Sequence, residues 1–166
     1  MSNRDENFIN YLFKLRDNRA AMAALRRGLG QYPGTAGQMY YYVAPFLEKA
    51  PGDIEYLYYL VASLYAFHPQ EGGSGNMGDH FRYVDPKAEN EAIVRRFENL
   101  LTARFDDLHL HLRQVVSFLK SRESPINWFR LLSDLRRWQD RKRLIQHCWA
   151  KQFYRNRSIE TTAEAE

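Results

Sequence analysis

The sequence predicts an all-α protein, built as a compact helical bundle or a pair of bundles packed as one unit. Three observations carry that prediction. Apolar residues recur at three- and four-residue spacing through most of the chain, which is the pattern of a helix with one buried face. No stretch alternates apolar and polar residues over the length of a strand, and nothing repeats at a fixed period. Turn-forming and capping residues fall between the periodic segments, where helices would start and stop. With 166 residues, 45% of them hydrophobic, the chain can bury one substantial core.

Phe8, Ile9, Leu12 and Leu15 mark the first helix. Asp17 is placed to cap a second, with Ala21, Ala24, Leu25 and Gly28 inward and Gly28 and Gly30 ending it. QYPGTAG is a loop. Tyr40 to Leu47 has a helical pattern interrupted by Pro45, so a kink or early stop is expected, because proline lacks an N–H and crowds the preceding turn. Asp53 is the expected cap of IEYLYYLVASLYAF. That run is apolar nearly all round and should be the central, most buried helix. Its tyrosines, with Tyr40, Tyr41 and Tyr42, are expected to pack in the core rather than to stack bases.

HPQEGGSGNMGD reads as a long flexible loop over about 68–80. A helix follows from about Pro86 to Ala103, with Ile93, Val94, Phe97, Leu100 and Leu101 inward. Asp106 can open the next, whose inner face holds Leu108, Leu112, Val115, Val116 and Leu119. Ser124 and Pro125 look like the cap and first position of a last helical stretch. There Trp128, Leu131, Leu132, Leu135 and Trp138 fall within about 120° of one another. A break is expected at Gln139–Asp140, after which Leu144, Ile145, Cys148 and Trp149 turn inward. The expected organisation is one unit over 1–157, made of two sub-bundles, with a disordered tail at 158–166.

The N-terminus MSNRDENF is polar, and no apolar run approaches the roughly 20 residues of a membrane span. A soluble, cytoplasmic protein without a membrane partner is expected. The single cysteine, Cys148, excludes an intrachain disulfide and a cysteine-based zinc cluster.

Charge is segregated. The formal net charge is +4, yet residues 126–157 hold nine basic and two acidic side chains, so the rest of the chain sums to −3. Of 24 basic residues 18 are arginine, whose planar fork grips phosphate in bidentate fashion. Arg130, Arg137 and Arg141 share one side of the last stretch, with Asp134 in reach of Arg130 or Arg137. Arg143, His147 and Lys151 form a second stripe. Arg19 and Arg26 share an outer face, Arg95 projects outward, Arg96 flanks the core and Arg113 edges an apolar stripe. Together they predict a surface that tracks phosphates and binds through counterion release, without sequence readout. The alternative is a helical protein–protein adaptor whose basic faces meet acidic partner surfaces. A helix-turn-helix regulator lacks its two-helix reading unit.

No catalytic residue, cofactor or metal is expected. His109 and His111 stand about 200° apart on a helix and cannot converge on one ion. GGSGNMG lacks the Lys-Ser/Thr of a P-loop. No nucleophile–base pair stands out.

The blocks AALRRGLG (23–30), YLYYLVASLYAFHP (56–69), GNMG (75–78), VRRFENLLTA (94–103), DLHLHLRQVVSFLK (107–120), INWFRLLSDLRRW (126–138) and CWAKQFY (148–154) occur in an order that resembles the CasB family. CasB is the small subunit of the type I-E CRISPR surveillance complex, Cascade. The resemblance implies an all-α, two-bundle protein of antiviral defence without catalysis of its own. It implies a head-to-tail pair of copies that contacts the backbone subunits and the large subunit. It also implies a basic surface that helps hold the R-loop with its crRNA/target duplex, chiefly the displaced single-stranded non-target DNA. By motif it points to Arg26, Arg27, Arg95, Arg96 and Arg113, and to Arg136, Arg137, Arg141, Lys142 and Arg143. With Arg19 and Arg130 these are the expected nucleic-acid contacts. Trp128, Trp138, Trp149 and Phe153 are expected in the core.

Overall fold

Nine α-helices joined by loops and short 3₁₀ turns, with no strand, make up residues 1–159, the residues described in the computed structural model. The expected tail lies outside the described residues from residue 160 onward. The helices are α1 (Asn3–Lys14), α2 (Arg19–Arg26), α3 (Tyr40–Val43), α4 (Gly52–Phe67), α5 (Met77–Val84), α6 (Glu91–Leu101), α7 (Leu108–Ser121), α8 (Trp128–Leu135) and α9 (Leu144–Phe153). Helix α4 is central. Every side chain from Tyr56 to Ala66 is buried, because the helix packs against α2, α3, α7 and α8 at once. Around it, α1 lies on α8, α6 on α7 and α5 on α9. One connected apolar cluster draws side chains from all nine.

Asparagine caps four of these helices, three of them where the sequence points to a nearby aspartate, serine or proline. Asn18, not Asp17, caps α2, its Oδ1 accepting from the Ala21 N–H at 3.0 Å. Helix α8 starts from Asn127, whose Oδ1 accepts from the Arg130 N–H at 3.0 Å, two residues beyond Pro125. Helix α6 starts at Glu91 rather than Pro86. The Asp85 carboxylate accepts from the Glu89 and Asn90 N–H groups, which holds 86–90 as a turn, and Asn90 then caps the helix. Asp53 is not a cap: α4 is entered from extended Pro51, and the Asp53 carboxylate accepts from Gln139 at 3.0 Å. Asp106 does not cap α7, which opens from a 3₁₀ turn over Phe105–Asp107. Pro45 acts as expected, ending α3 at Val43 in a 3₁₀ turn.

The glycine-rich stretch makes specific contacts with the start of α8. The His68 Nε2–H donates to the Ser124 carbonyl at 2.7 Å, and the Trp128 indole donates to the Gln70 carbonyl at 2.8 Å. Gly73 lies so close to the backbone of Pro125–Asn127 that a Cβ there would come within 2.6 Å of it. Where the sequence predicts the end of that loop, α5 begins, closed by a reciprocal capping box between Asn76 and Asp79. Gly78 admits the backbone of Trp149 at the α5–α9 contact, where any side chain would collide.

Two expectations about the core fail. Cys148 and Leu144 are exposed. Arg143 takes a left-handed conformation (φ 53°) at the start of α9, and the helix buries Gln146 alongside the expected Ile145, Trp149 and Phe153. Tyr40 and Tyr41 are exposed because α3 is a single turn that directs Val43, and in part Tyr42, to the core. The three tryptophans are buried as expected. Each indole N–H is satisfied, by Gln70, Ala103 and Asp134 in turn.

Candidate nucleic-acid interface

Helix α7 owes its position to Leu108, Leu112, Val115, Val116 and Leu119, which anchor it on the core. Its opposite face, holding Leu110, Gln114, Ser117 and Ser121, is exposed and uncharged. Cations line both edges of that strip. On one edge stand Arg113 and Lys120, seven residues and hence about 20° apart around the helix. The Arg113 guanidinium rests against Gly30, just past the end of α2. The Lys120 ammonium sits 4.2 Å from the Phe67 ring at the end of α4. Arg26 joins the same seam through a 3.4 Å hydrogen bond to the Ala66 carbonyl. On the other edge Arg96 and Arg122 both lie on the half-buried Phe118 ring, at 4.6 and 5.4 Å from its centroid. None of these five cations makes an ion pair among the described residues. Stacking on rings holds a guanidinium in place while its N–H groups stay free for an anion.

The C-terminal segment, which carries the +7, is organised differently. Arg136 bonds both oxygens of Asp5 at 2.6 and 2.8 Å, and the Tyr58 hydroxyl donates to the same carboxylate at 2.6 Å. Asp5 is fully buried, so its charge requires that cation. Burial, and then Asp5 itself, push the Tyr58 hydroxyl well above the ordinary tyrosine range. Arg130 pairs at 2.9 Å with Asp134, which is also buried and accepts from Trp149 at 2.7 Å. Arg143 donates to the Leu101 carbonyl. Arg141 and Arg143 then line a cavity of about 560 Å³ with Arg104, but Asp53, Asp106 and Asp140 line it too.

The remaining expected residues are dispersed. Arg19, Arg27, Arg95, Arg137 and Lys142 are exposed. Arg95 lies about 100° around α6 from Arg96, on the face that carries Glu91 and Glu98. The structure thus places Arg26 and Arg113 on one edge of the α7 strip and Arg96 on the other. It adds Lys120 and Arg122, which sequence patterning passes over because each is an isolated cation near the end of a helix. The aromatic residues beneath them, Phe67 and Phe118, are the signal that could have pointed there. His109 is engaged locally, its Nδ1 3.1 Å from the Tyr56 hydroxyl, and no group of three metal-ligating residues occurs among the described residues. Among the same residues no helix is long and apolar enough to cross a membrane.

Fold and surface define a class: a small all-α protein with five unpaired cations braced along the edges of one helix's outer face. The chain belongs to the CRISPR-associated protein Cse2 family, whose sequence model matches residues 21–154, from α2 to just past α9. The CRISPR-associated protein Cse2 of Thermus thermophilus is 37% identical over 156 residues, covering 90% of this chain and 89% of that protein. The crystal structure of CasB from Thermus thermophilus superposes with a TM-score of 0.80 at 34% identity, over 93% of this chain and 99% of that one. CasB of M. ruber matches at 0.77 and 28% identity, covering 93% and 94%. A chain of a solved CRISPR RNA-guided surveillance complex matches at 0.76 and 27% identity, over 92% of each. The family expected from the ordered motifs is therefore the family to which the chain belongs.

Proposed function

We propose that this chain is a non-catalytic small subunit of a CRISPR RNA-guided surveillance complex, and that it binds nucleic acid without sequence readout to stabilise the R-loop. The observation that carries the reading is the outer face of α7, an uncharged strip between two edges of unpaired cations. A single strand laid along it would find cations for its phosphates on both edges. Between them it would meet serines, one glutamine and one leucine, which offer little to discriminate bases. Each phosphate neutralised releases counterions, so affinity arises without base contacts. The work is electrostatic positioning, and base pairing to the guide supplies sequence specificity.

In this reading the chain acts in the cytoplasm as one unit of two sub-bundles. It is seated by the backbone and large subunits and by a second copy head-to-tail, with the displaced DNA strand and the crRNA/target duplex as ligands. The adaptor reading is favoured at one place, the cavity where Arg104, Arg141 and Arg143 stand among three aspartates. Mixed charge of that kind suits a protein surface better than a phosphate chain.

The test is the lifetime of the R-loop on a reconstituted complex carrying Arg113→Glu and Lys120→Glu. A lifetime shortened severalfold, with assembly intact, is expected. An unchanged lifetime would remove the α7 face from the mechanism.

A further inference from the structure

Four tyrosine rings converge on a cleft that the proposed function does not use. Tyr56 and Tyr59 of α4, almost fully buried, form its floor, and Tyr32 and Tyr40, about half exposed, rise at its sides. The cleft has a volume of about 520 Å³. The Tyr32 and Tyr56 rings are 5.4 Å apart and the Tyr40 and Tyr59 rings 5.8 Å apart, centroid to centroid. The exposed pair is held in place by its own loop. The Tyr40 hydroxyl donates to the Gly34 carbonyl at 2.8 Å, and the Thr35 hydroxyl donates to the Tyr32 carbonyl at 2.7 Å. Gly34 adopts a left-handed φ of 92°, and a Cβ there would touch the Tyr59 ring at 3.4 Å.

Among the described residues Glu55 is the only charged one lining the cleft, and it makes no ion pair among them. Residues 31–59 carry Glu48, Asp53 and Glu55 against Lys49 alone. Burial, then the nearby Asp106 and Asp53, hold the Tyr32 hydroxyl above its ordinary pKa, so it stays neutral near pH 7. Aromatic faces with an unpaired carboxylate and no lining cation are the chemistry that recognises a positive charge. A polynucleotide fits poorly, because each stacked base would carry a phosphate towards Glu55.

We propose that this tyrosine cleft receives an arginine or lysine side chain from a basic segment of a protein partner. It is a second surface, opposite in sign to the α7 face and adjoining its edge, where the Tyr32 ring packs against His109 with centroids 5.4 Å apart.

The test uses the full chain with tyrosine rings labelled with ¹³C, titrated with capped Gly-Arg-Gly and with its neutral isostere Gly-citrulline-Gly. Saturable shifts of the Tyr32, Tyr40 and Tyr59 rings are expected, with the arginine peptide binding about fivefold or more tighter than citrulline. Glu55→Gln, an exposed change that preserves shape, should weaken the arginine peptide about two- to fivefold. Tyr40→Leu should weaken it further. Equal binding of the two peptides, or no effect of Glu55→Gln, would overturn the proposal. So would shifts of the same rings by a single-stranded oligonucleotide. Ring shifts that move when the protein alone is diluted would put a second copy of the chain in the cleft and overturn the partner assignment.

Discussion

The C-terminal segment and the α7 face hold two gatherings of positive charge, and folding gives buried carboxylate partners to Arg130 and Arg136 of the first but to none of the second. Arg137 and Lys142 of the first stay exposed, without an ion pair among the described residues. Residues 126–157 have by far the greater excess in sequence, +7. In the fold Arg130 answers Asp134, Arg136 answers Asp5 and Arg143 serves the Leu101 carbonyl. Arg141 stands in a cavity shared with three aspartates. Helix α7 and its neighbours contribute fewer cations from scattered positions, and theirs remain unpaired, braced on rings or backbone. Charge counted along the chain measures how many cations a segment has. The capacity to bind an outside anion depends on how many are left after buried carboxylates have taken theirs.

The contrast can be broken most forcefully at its buried end. Arg136→Ala should lower stability by about 3–5 kcal/mol, read from urea melts, because it strands the fully buried Asp5 carboxylate without its cation. If Arg136→Ala costs nothing, Arg136 is free and belongs with the binding residues after all.

Acid should act next, through the clasp between the glycine-rich stretch and α8. His80 is 4% exposed, and its Nε2 accepts from the Asn127 N–H at 3.1 Å, so the ring must be neutral. Burial depresses its pKa from the ordinary 6.5 to about 4, with Asp79 opposing weakly. Between those values the unfolded chain holds a proton that the folded chain does not, so stability falls as pH drops through this window. His68, depressed by burial and then by Lys120 while its bond to Ser124 opposes, adds in the same direction. The loss from His80 should reach about 3 kcal/mol at pH 4. It should shrink in His80→Gln, as followed by denaturant midpoints at pH 7 and pH 4.5. An equal acid loss in that variant would assign the effect elsewhere.

A smaller effect sharpens the other side. Phe118→Leu keeps apolar volume but removes the ring beneath Arg96 and Arg122. Stability should fall by about 1 kcal/mol, and affinity for single-stranded DNA should fall severalfold as two cations lose their bracing. Unchanged affinity would mean that the ring does not organise them.

Much of the fold was legible in the sequence because helical periodicity is a local signal. The inward sets of α4, α7 and α8 and the kink at Pro45 follow from residues within one or two turns. Helix starts were less legible. Asn18, Asn90 and Asn127 each sit near another plausible cap or proline, and backbone geometry decides between them. Helix α5 was hidden by the glycines flanking its capping box. The candidate site was legible in its residue types and only in part in its membership. Arg26 and Arg113 flank one edge of α7 and Arg96 the other because α2 packs on α4 and α6 on α7, and no spacing within the chain reveals that. The partners that occupy Arg130 and Arg136 differ in the same respect. Asp134 lies one turn away and was foreseeable, whereas Asp5 is at the other end of the chain.

The central claim is that the α7 cations, rather than the paired arginines of the C-terminal segment, meet phosphate. The most direct measurement is the salt dependence of single-stranded DNA binding by the purified chain, by Arg113→Gln/Lys120→Gln and by Arg130→Gln. The account predicts that the slope of log affinity against log salt becomes shallower by about 1.4 in the α7 pair, at about 0.7 for each phosphate no longer neutralised, and is unchanged in Arg130→Gln. A slope that the α7 pair leaves intact and Arg130→Gln reduces would contradict it.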